Sequence, residues 1–223
     1  MIPAKEEIQK AISEVGIYVK QRITEFKNLR EKGITVFDFK PFVDIEPYQA
    51  DIFSEASFCI LTANSSAVMG IKIQKEIGIE GFKKYSLEKL YQIIRSKGHR
   101  FAMQRAERIV LLREKEKLLN EIVKTYKNGK EAREILVKEV KGYGYKEASH
   151  FLRNVGFEDV AIIDRHISRF LFEKGLVKPR KTITKKVYLE CEEALEKIAS
   201  EMGLTQGELD LYIFYIKTKK VLK

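Results

Sequence analysis

The chain has 223 residues, of which 44% are hydrophobic, and 42 lysines and arginines outnumber 32 aspartates and glutamates. This apolar content excludes a disordered chain, and no apolar run reaches the ~18 residues of a membrane-spanning helix. Two cysteines, Cys59 and Cys191, are too few for a four-thiolate iron–sulfur or zinc site. The net charge of +10 suits either a polyanion, such as nucleic acid or an acidic membrane face, or solubility alone.

The spacing of apolar residues predicts helix after helix along the chain. The first is expected over about residues 4–31. Residues 33–47 contain two prolines and no helical period, so we expect a loop there without a partner strand. The stretch YQADIFSEASFCILTAN is expected to form a buried helix that ends near Asn64.

The middle of the chain predicts five more helices. The first, SAVMGIKIQKEIG, should stop at Gly78, and the second, SLEKLYQIIRSKG, should begin after the N-cap Ser86 and stop at Gly98. The other three are FAMQRAERIVLLREKEKLL, EIVKTYKNG and KEAREILVKEV.

The remainder of the chain is also expected to be helical. The pattern predicts helices in RHISRFLFEKG and KKVYLECEEALEKIASEMG, separated by a basic loop that contains Pro179. A last helix should follow the capping box formed by Thr205 and Glu208. Because little of the chain is left for a sheet, the predicted fold class is all-α.

Between the middle and last helices lies the stretch VKGYGYKEA. Gly142 and Gly144 are expected to allow positive φ and to expose backbone N–H groups in a tight turn between two helices. Such a turn can bind a phosphate oxygen at a helix N-terminus. An ordinary helix–turn–helix connection with a glycine cap explains the two glycines equally well.

Lys146 follows this turn directly, in the first turn of the next helix. A cation is disfavoured there, because the helix N-terminus already carries partial positive charge. Where exposure is limited, the same field favours a neutral, nucleophilic amine. Two interpretations stay open at this point: a nucleophile, or a solvated lysine that contacts phosphate.

Asp164 lies eighteen residues after Lys146, behind the apolar run of residues 160–163. A helix over residues 146–155 rises roughly 15 Å, and the next eight residues can span up to roughly 26 Å, so the chain can return to Lys146. Asp164 also precedes a helical pattern and is expected to be its N-cap. A carboxylate at this place can also stabilise a cation that develops on a substrate.

These residues resemble the helix-hairpin-helix DNA glycosylase superfamily, with Lys141 standing where a proline is frequent. From about residue 50 onward the resemblance is closer, to the archaeal and thermophile type of 8-oxoguanine DNA glycosylase/lyase. It rests on FCILTAN, KGHRFAMQRAERIV, KEASHFLRNVGFEDVAIIDRHI and ELDLYIFYIKTKKVLK.

The resemblance implies a bifunctional enzyme that flips an 8-oxoguanine nucleotide out of duplex DNA. Lys146 matches the catalytic lysine, whose amine attacks C1′ of the deoxyribose and forms a Schiff base before β-elimination. Asp164 matches the catalytic aspartate, which helps to generate the nucleophile and stabilises the oxocarbenium-like sugar. No metal or redox cofactor is implied, although hairpins of this superfamily often hold a monovalent cation.

Other roles are implied by the same resemblance. Asn64 matches the residue that fills the gap left by the flipped nucleotide, or is a helix C-cap. His166 matches a phosphate contact, or is a buried structural histidine. Arg100 is expected near the opposite strand, or is a plain surface arginine. Lys223 and Phe214 match positions that recognise the base, and relatives tend to have tryptophan where Phe214 stands.

Three other interpretations remain open, and a fourth is weaker. A glycosylase/lyase for other oxidised bases, of the endonuclease III type, usually carries a four-cysteine cluster. A glycosylase without lyase activity generally lacks a lysine at position 146. A non-catalytic helix-hairpin-helix DNA-binding protein needs neither Lys146 with Asp164 nor so long a chain. A basic membrane-surface protein fits less well still, since no cationic amphipathic helix stands apart.

The expected architecture is two helical lobes with DNA against the cleft between them. Residues 1–49 with 150–223 are predicted to form one lobe, and residues 50–149 the other, ending in the helix-hairpin-helix. The expected partner is double-stranded DNA that contains oxidised guanine, bound by a monomer and not by a membrane protein. Because MIPAKEEIQK lacks the apolar block of a secretory signal, the expected location is the cytoplasm, at the nucleoid.

Overall fold

The computed structural model describes residues 2–223, which form eleven α-helices, a 3₁₀ turn and one two-stranded antiparallel sheet. The all-α fold class is therefore confirmed. The elements are α1 Ile2–Lys32, β1 Ile34–Phe37, β2 Tyr48–Asp51, α2 Ile52–Thr62, α3 Ala67–Lys84, α4 Leu87–Ser96, α5 Ala102–Leu112, the 3₁₀ turn Arg113–Lys115, α6 Glu116–Thr125, α7 Gly129–Glu139, α8 Tyr145–Asn154, α9 Arg165–Glu173, α10 Lys185–Met202 and α11 Gln206–Thr218.

The short sheet corrects two expectations. Residues 34–37 were expected in a loop without a partner strand, but they pair with Tyr48–Asp51, which was expected to begin a helix. Phe37 and Phe39 are stacked and both lie close to the Tyr48 ring, so the pairing is stabilised by aromatic packing. Helix α2 begins only at Ile52, because Asp51 and Ser54 form a capping box at that point.

Two helix boundaries also differ from the expected ones. The chain breaks at Gly78 as predicted, with φ 66° and ψ 171°, but it resumes as a helix to Lys84. The stretch expected as one helix over residues 101–119 is instead divided by the 3₁₀ turn Arg113–Lys115. The predicted N-cap Ser86 and the predicted capping box at Thr205 are both confirmed.

The hydrophobic core runs continuously through the described residues, from α1 to the buried Leu222. Helix α1 packs on α11, α11 packs on α9 and α10, and α2 packs against α3, α5 and α8. Since α8 touches both α1 and α2, it joins the two groups of helices. The assignment of residues 1–49 with 150–223 to one lobe and 50–149 to the other stays a prediction.

No helix within residues 2–223 combines the length and the apolar content that crossing a membrane requires.

Candidate active site

A cleft of about 1580 Å³ opens on one side of the molecule. It is lined by residues from the end of α2, the start of α8, the segment before α9 and the last helix. Seven of the residues predicted from the sequence lie on its wall: Asn64, Arg100, Lys146, Asp164, His166, Phe214 and Lys223. Gly142 and Gly144 are not among the described residues that line it.

The hairpin between α7 and α8 corrects the expectation for one of its glycines. Gly142 has φ 96°, as predicted, and packs against the Arg108 side chain. Gly144 is instead the extended N-cap of α8, with φ −99° and ψ −170°. Its N–H donates to Glu147 Oε2 at 3.2 Å, so this amide is not free for a phosphate in the structure.

Lys146 lies in the first turn of α8, where its side chain is 30% exposed. The Nζ atom is 3.6 Å from Glu147 Oε1, a distance at which the two charges attract but do not form a close hydrogen bond. The amine is therefore partly shielded, lies at the positive end of a helix and faces the cleft. This is the position that the sequence predicted for it.

His150, which was not among the residues predicted from the sequence, lies one helical turn after Lys146 and also lines the cleft. Burial lowers the pKa of His150 well below its ordinary value, and the charges of Arg153 and Lys146 lower it further. The shift favours the neutral imidazole. Its Nδ1 is 3.4 Å from Thr62 Oγ1. The sequence KEASH contained a signal for His150, because a spacing of four residues places Lys146 and His150 on the same face of a helix.

Asp164 is the N-cap of α9, as predicted. Its Oδ1 accepts from the N–H groups of His166 at 2.8 Å and Ile167 at 2.9 Å. Within residues 2–223, Oδ2 makes no hydrogen bond, and the side chain is half-buried at the cleft wall. One oxygen thus holds the helix while the other is available to a positive charge in the cleft.

The segment in front of Asp164 is held by buried polar contacts. The Ile162 N–H donates to Asp210 Oδ2 at 2.8 Å, and the Tyr188 hydroxyl donates to Ala161 O at 2.9 Å. The same hydroxyl accepts from the Ile163 N–H at 3.3 Å. Because Asp210 and Tyr188 lie on α11 and α10, two helices distant in sequence fix this segment.

Asp210 belongs to a chain of buried polar side chains. Its Oδ1 pairs with the Arg153 guanidinium, which also donates to Asn154 Oδ1 at 2.9 Å. Asn154 Nδ2 then donates to Glu55 Oε1 at 2.6 Å. Burial raises the pKa of the Asp210 carboxyl to about 6, although Arg153 opposes this shift.

Lys223 is the last member of this chain of buried polar contacts, because it binds Glu55. Its Nζ pairs with Glu55, donates to Gln74 Oε1 at 2.6 Å and lies 3.9 Å from the centre of the Phe37 ring. Burial lowers the pKa of Lys223 to about 8, while Glu55 opposes the shift. The ammonium is therefore bound inside the protein, and Lys223 is also among the residues that line the cleft.

The remaining predicted residues surround the opening. Asn64 follows the end of α2 in a left-handed conformation, with φ 58°, and is not the C-cap, which is Ala63. The His166 and Phe214 rings meet edge to face with centroids 5.4 Å apart. Arg100 is exposed and lies beside the Phe101 ring.

Residues 2–223 contain no group of three or more His, Cys, Asp or Glu side chains arranged to hold a metal ion.

A predominantly helical fold in which a hairpin lysine and an N-cap aspartate face one cleft agrees with the class that the sequence resembles, the helix-hairpin-helix DNA glycosylases. The sequence model described as 8-oxoguanine DNA glycosylase matches residues 19–204. The chain therefore belongs to the 8-oxoguanine DNA glycosylase family.

Individual relatives agree with this assignment. The 8-oxoguanine DNA glycosylase/AP lyase of Aquifex aeolicus is 59% identical over 225 residues, which cover 99% of each chain. The protein of the same name from Methanocaldococcus jannaschii is 47% identical over 212 residues, covering 95% of this chain and 94% of that one.

Solved structures agree as well. The Methanocaldococcus jannaschii 8-oxoguanine glycosylase/lyase, in complex with a 15mer DNA containing 8-oxoguanine, superposes with a TM-score of 0.85 at 45% identity and full coverage of both chains. The 8-oxoguanine DNA glycosylase of Thermotoga maritima gives a TM-score of 0.83 at 42% identity, with 98% and 97% covered.

Proposed function

We propose that this protein excises 8-oxoguanine from duplex DNA and then cleaves the strand at the abasic site. It is a DNA glycosylase and an AP lyase. The observation that carries the proposal is the shared cleft of Lys146 and Asp164, in a chain whose relatives are named for both activities. The cleft is large enough to admit an extruded nucleotide.

The proposed reaction begins with the Lys146 amine at C1′ of the damaged nucleotide. As the N–C1′ bond forms, the N-glycosidic bond breaks, and the base leaves with the electron pair and takes up a proton. Opening of the sugar ring yields a Schiff base between Nζ and C1′. Loss of a C2′ proton then expels the 3′ phosphate by β-elimination, and water releases the lysine.

Asp164 assists the first of these steps. While the base departs, the sugar gains oxocarbenium character, and a carboxylate fixed nearby stabilises that positive charge. The free Oδ2 suits this role, because Oδ1 holds the side chain in place through two backbone amides. Burial lowers the pKa of His150, which disfavours a second positive charge beside the Lys146 amine.

Recognition of the DNA is assigned to the residues around the cleft. Lys223 and Phe214 read the flipped base, and Asn64 fills the gap it leaves. His166 and the hairpin at Gly142 contact phosphates, and Arg100 approaches the opposite strand. A monovalent cation at the hairpin, a monomeric enzyme and a place at the nucleoid in the cytoplasm complete the proposal.

The test is a panel of duplexes that each carry one defined site: 8-oxoguanine, an oxidised pyrimidine, intact guanine or a preformed abasic site. Strand cleavage and borohydride-trapped adduct are measured for each under single-turnover conditions. We expect both products with 8-oxoguanine and with the abasic site. A preference for the oxidised pyrimidine would show that the proposed substrate is wrong. Binding without any cleavage would show that the protein binds DNA but is not an enzyme.

A further inference from the structure

The backbone that carries Asp164 into the cleft is irregular, and it lacks the internal hydrogen bonds that hold a helix. Residues 156–163 separate α8 from α9, and Asp164 is the first residue after them. The position of the Asp164 carboxylate therefore depends on what fixes this segment from outside. Asp210 supplies such a contact two residues before Asp164, through the Ile162 N–H at 2.8 Å.

Asp210 can act as a fixed point because it is itself immobilised. It is 1% exposed, and its second oxygen pairs with Arg153. The Arg153 guanidinium is held in turn, since two of its nitrogens donate to Asn154 Oδ1 at 2.9 and 3.1 Å and it lies over the Phe26 ring. A bidentate, packed arginine has little freedom, so the carboxylate it binds has little as well.

The arrangement also places Asp210 near the chemistry. Asp210, Arg153 and Ile162 all line the same cleft as Lys146. The charge of Asp164 contributes to raising the pKa of Asp210, so the two carboxylates influence each other electrostatically. A buried carboxylate is unfavourable unless it is paired and hydrogen-bonded, and apolar residues would fill the same space at lower cost.

We propose that Asp210, held by Arg153, is a positioning residue for Asp164 and thereby for the base-excision step. This inference rests on the proposed function. Asp210 does not touch the substrate in this proposal. It fixes the segment from which the Asp164 carboxylate reaches the sugar, and a displacement of about 1 Å at such a group can lower a rate by about 10²-fold.

The first measurement separates the two chemical steps in Asp210→Asn. The asparagine keeps an acceptor for Ile162, but its amide group opposes the Arg153 guanidinium. We expect single-turnover excision of 8-oxoguanine to fall on the order of tenfold to a hundredfold. Cleavage of a preformed abasic duplex needs no departing base, so its rate should change by less than about threefold. Equal losses in both steps would overturn the proposal.

A matched control changes another buried carboxylate that binds an arginine and a backbone N–H, away from the cleft. Glu25 is also a buried carboxylate that binds an arginine, Arg22, and a backbone N–H, that of Asp38 at 3.3 Å. Neither Arg22 nor Glu25 is among the described residues that line the cleft. Glu25→Gln should therefore lower the melting temperature without changing the ratio of excision to abasic-site cleavage. A similar change of this ratio in both variants would contradict the positioning role.

A double variant tests whether Asp210 acts through Asp164. If it does, adding Asp210→Asn to Asp164→Asn should slow excision no further, because the positioned carboxylate is already absent. Independent, multiplicative losses would overturn the inference. Should Asp210→Asn fail to fold, Arg153→Lys gives the same comparison, since a lysine lacks the planar fork of donors with which Arg153 holds Asp210 and Asn154.

The outcome also distinguishes this inference from the proposed function. If the wild-type protein releases no 8-oxoguanine, the proposed function fails before Asp210 is tested. If the wild type is active and Asp210→Asn retains its excision rate, only the positioning role fails.

Discussion

Asp164 shows how one side chain can have a structural and a chemical role. The two amides that it caps bind a single oxygen, so the second oxygen stays available at the cleft wall. An asparagine caps a helix about as well as an aspartate. The charge of Asp164 can therefore be removed with little loss of helix stability, which makes its chemical role separable from its structural one.

Asp164→Asn should keep DNA binding but slow base release by about 10²-fold or more, because the charge facing the developing oxocarbenium is lost. The rate is measured in single turnover on an 8-oxoguanine duplex, and binding on an uncleavable abasic analogue. An unchanged rate would remove Asp164 from its proposed role. Parallel loss of binding would indicate a damaged fold instead.

Lys223 contributes to the structure through its buried ammonium. Removing Lys223 leaves Glu55 buried without its counter-charge, a change that typically costs about 3–5 kcal/mol. Deletion of Lys223 should therefore lower the melting temperature, and it should also weaken discrimination of 8-oxoguanine from guanine. Discrimination is the ratio of single-turnover rates on the two duplexes. The exposed Lys219 gives a control, Lys219→Met, and equal discrimination in the deletion would show that Lys223 does not read the base.

At the scale of elements, the hairpin between α7 and α8 depends on one glycine more than on the other. A Cβ on Gly142 would lie 2.7 Å from Arg108 Cδ, in a backbone with φ 96° that side chains rarely adopt. A Cβ on Gly144 would meet only the flexible end of Glu147, at 3.3 Å. The two glycines therefore form a matched pair for substitution.

Gly142→Ala should destabilise the protein by about 1–2 kcal/mol and weaken DNA binding, because the left-handed turn is strained by a Cβ. Gly144→Ala should change both quantities little. Urea unfolding and titration of a fluorescent duplex measure the two effects. Similar losses in both variants would contradict the conformations assigned to this hairpin.

The sequence predicts those elements whose signals are local. Helical periodicity, glycine stops and capping boxes lie within a few residues, and the break at Gly78 and the cap at Thr205 were found in this way. The pairing of β1 with β2 was not found, because it joins residues up to 17 positions apart (Ile34 with Asp51) and Tyr48–Asp51 lacks β-branched residues.

In the candidate site, too, the residues of a local motif were predicted and the contacts between distant residues were not. Lys146 and Asp164 belong to a local motif and were predicted, whereas the buried contacts behind them were not. Asp210 meets Ile162 across 48 positions, and Asn154 meets Glu55 across 99. No local pattern encodes such contacts, since they arise only when helices distant in sequence pack together.

At the scale of the whole molecule, the chain carries an excess of ten positive charges, and several of its cations lie at the cleft. Its wall carries, besides Lys146, the cations Arg100, Arg165, Arg169, Arg180, Lys181, Lys185 and Lys220. Arg180 and Lys181 belong to the exposed basic loop between α9 and α10. This distribution suits a DNA duplex laid across the cleft.

Binding should fall steeply with salt, with a slope of log K against log salt of about −0.9 for each phosphate contacted. Arg180→Ala should reduce the magnitude of that slope by about one. Arg95→Ala removes an exposed arginine that is not among the described residues of the cleft wall, and should leave the slope unchanged. Equal slopes in the wild type and Arg180→Ala would exclude this loop from the DNA interface.

The chemistry of the whole enzyme depends on the Lys146 amine. Borohydride reduction of the Schiff base on 8-oxoguanine duplex tests this directly, with Lys146→Gln compared with Lys141→Gln, an exposed lysine in the same hairpin. The wild type and Lys141→Gln should yield a covalent protein–DNA adduct and a cut strand, and Lys146→Gln should yield neither. A trapped adduct in Lys146→Gln would show that another amine forms the Schiff base.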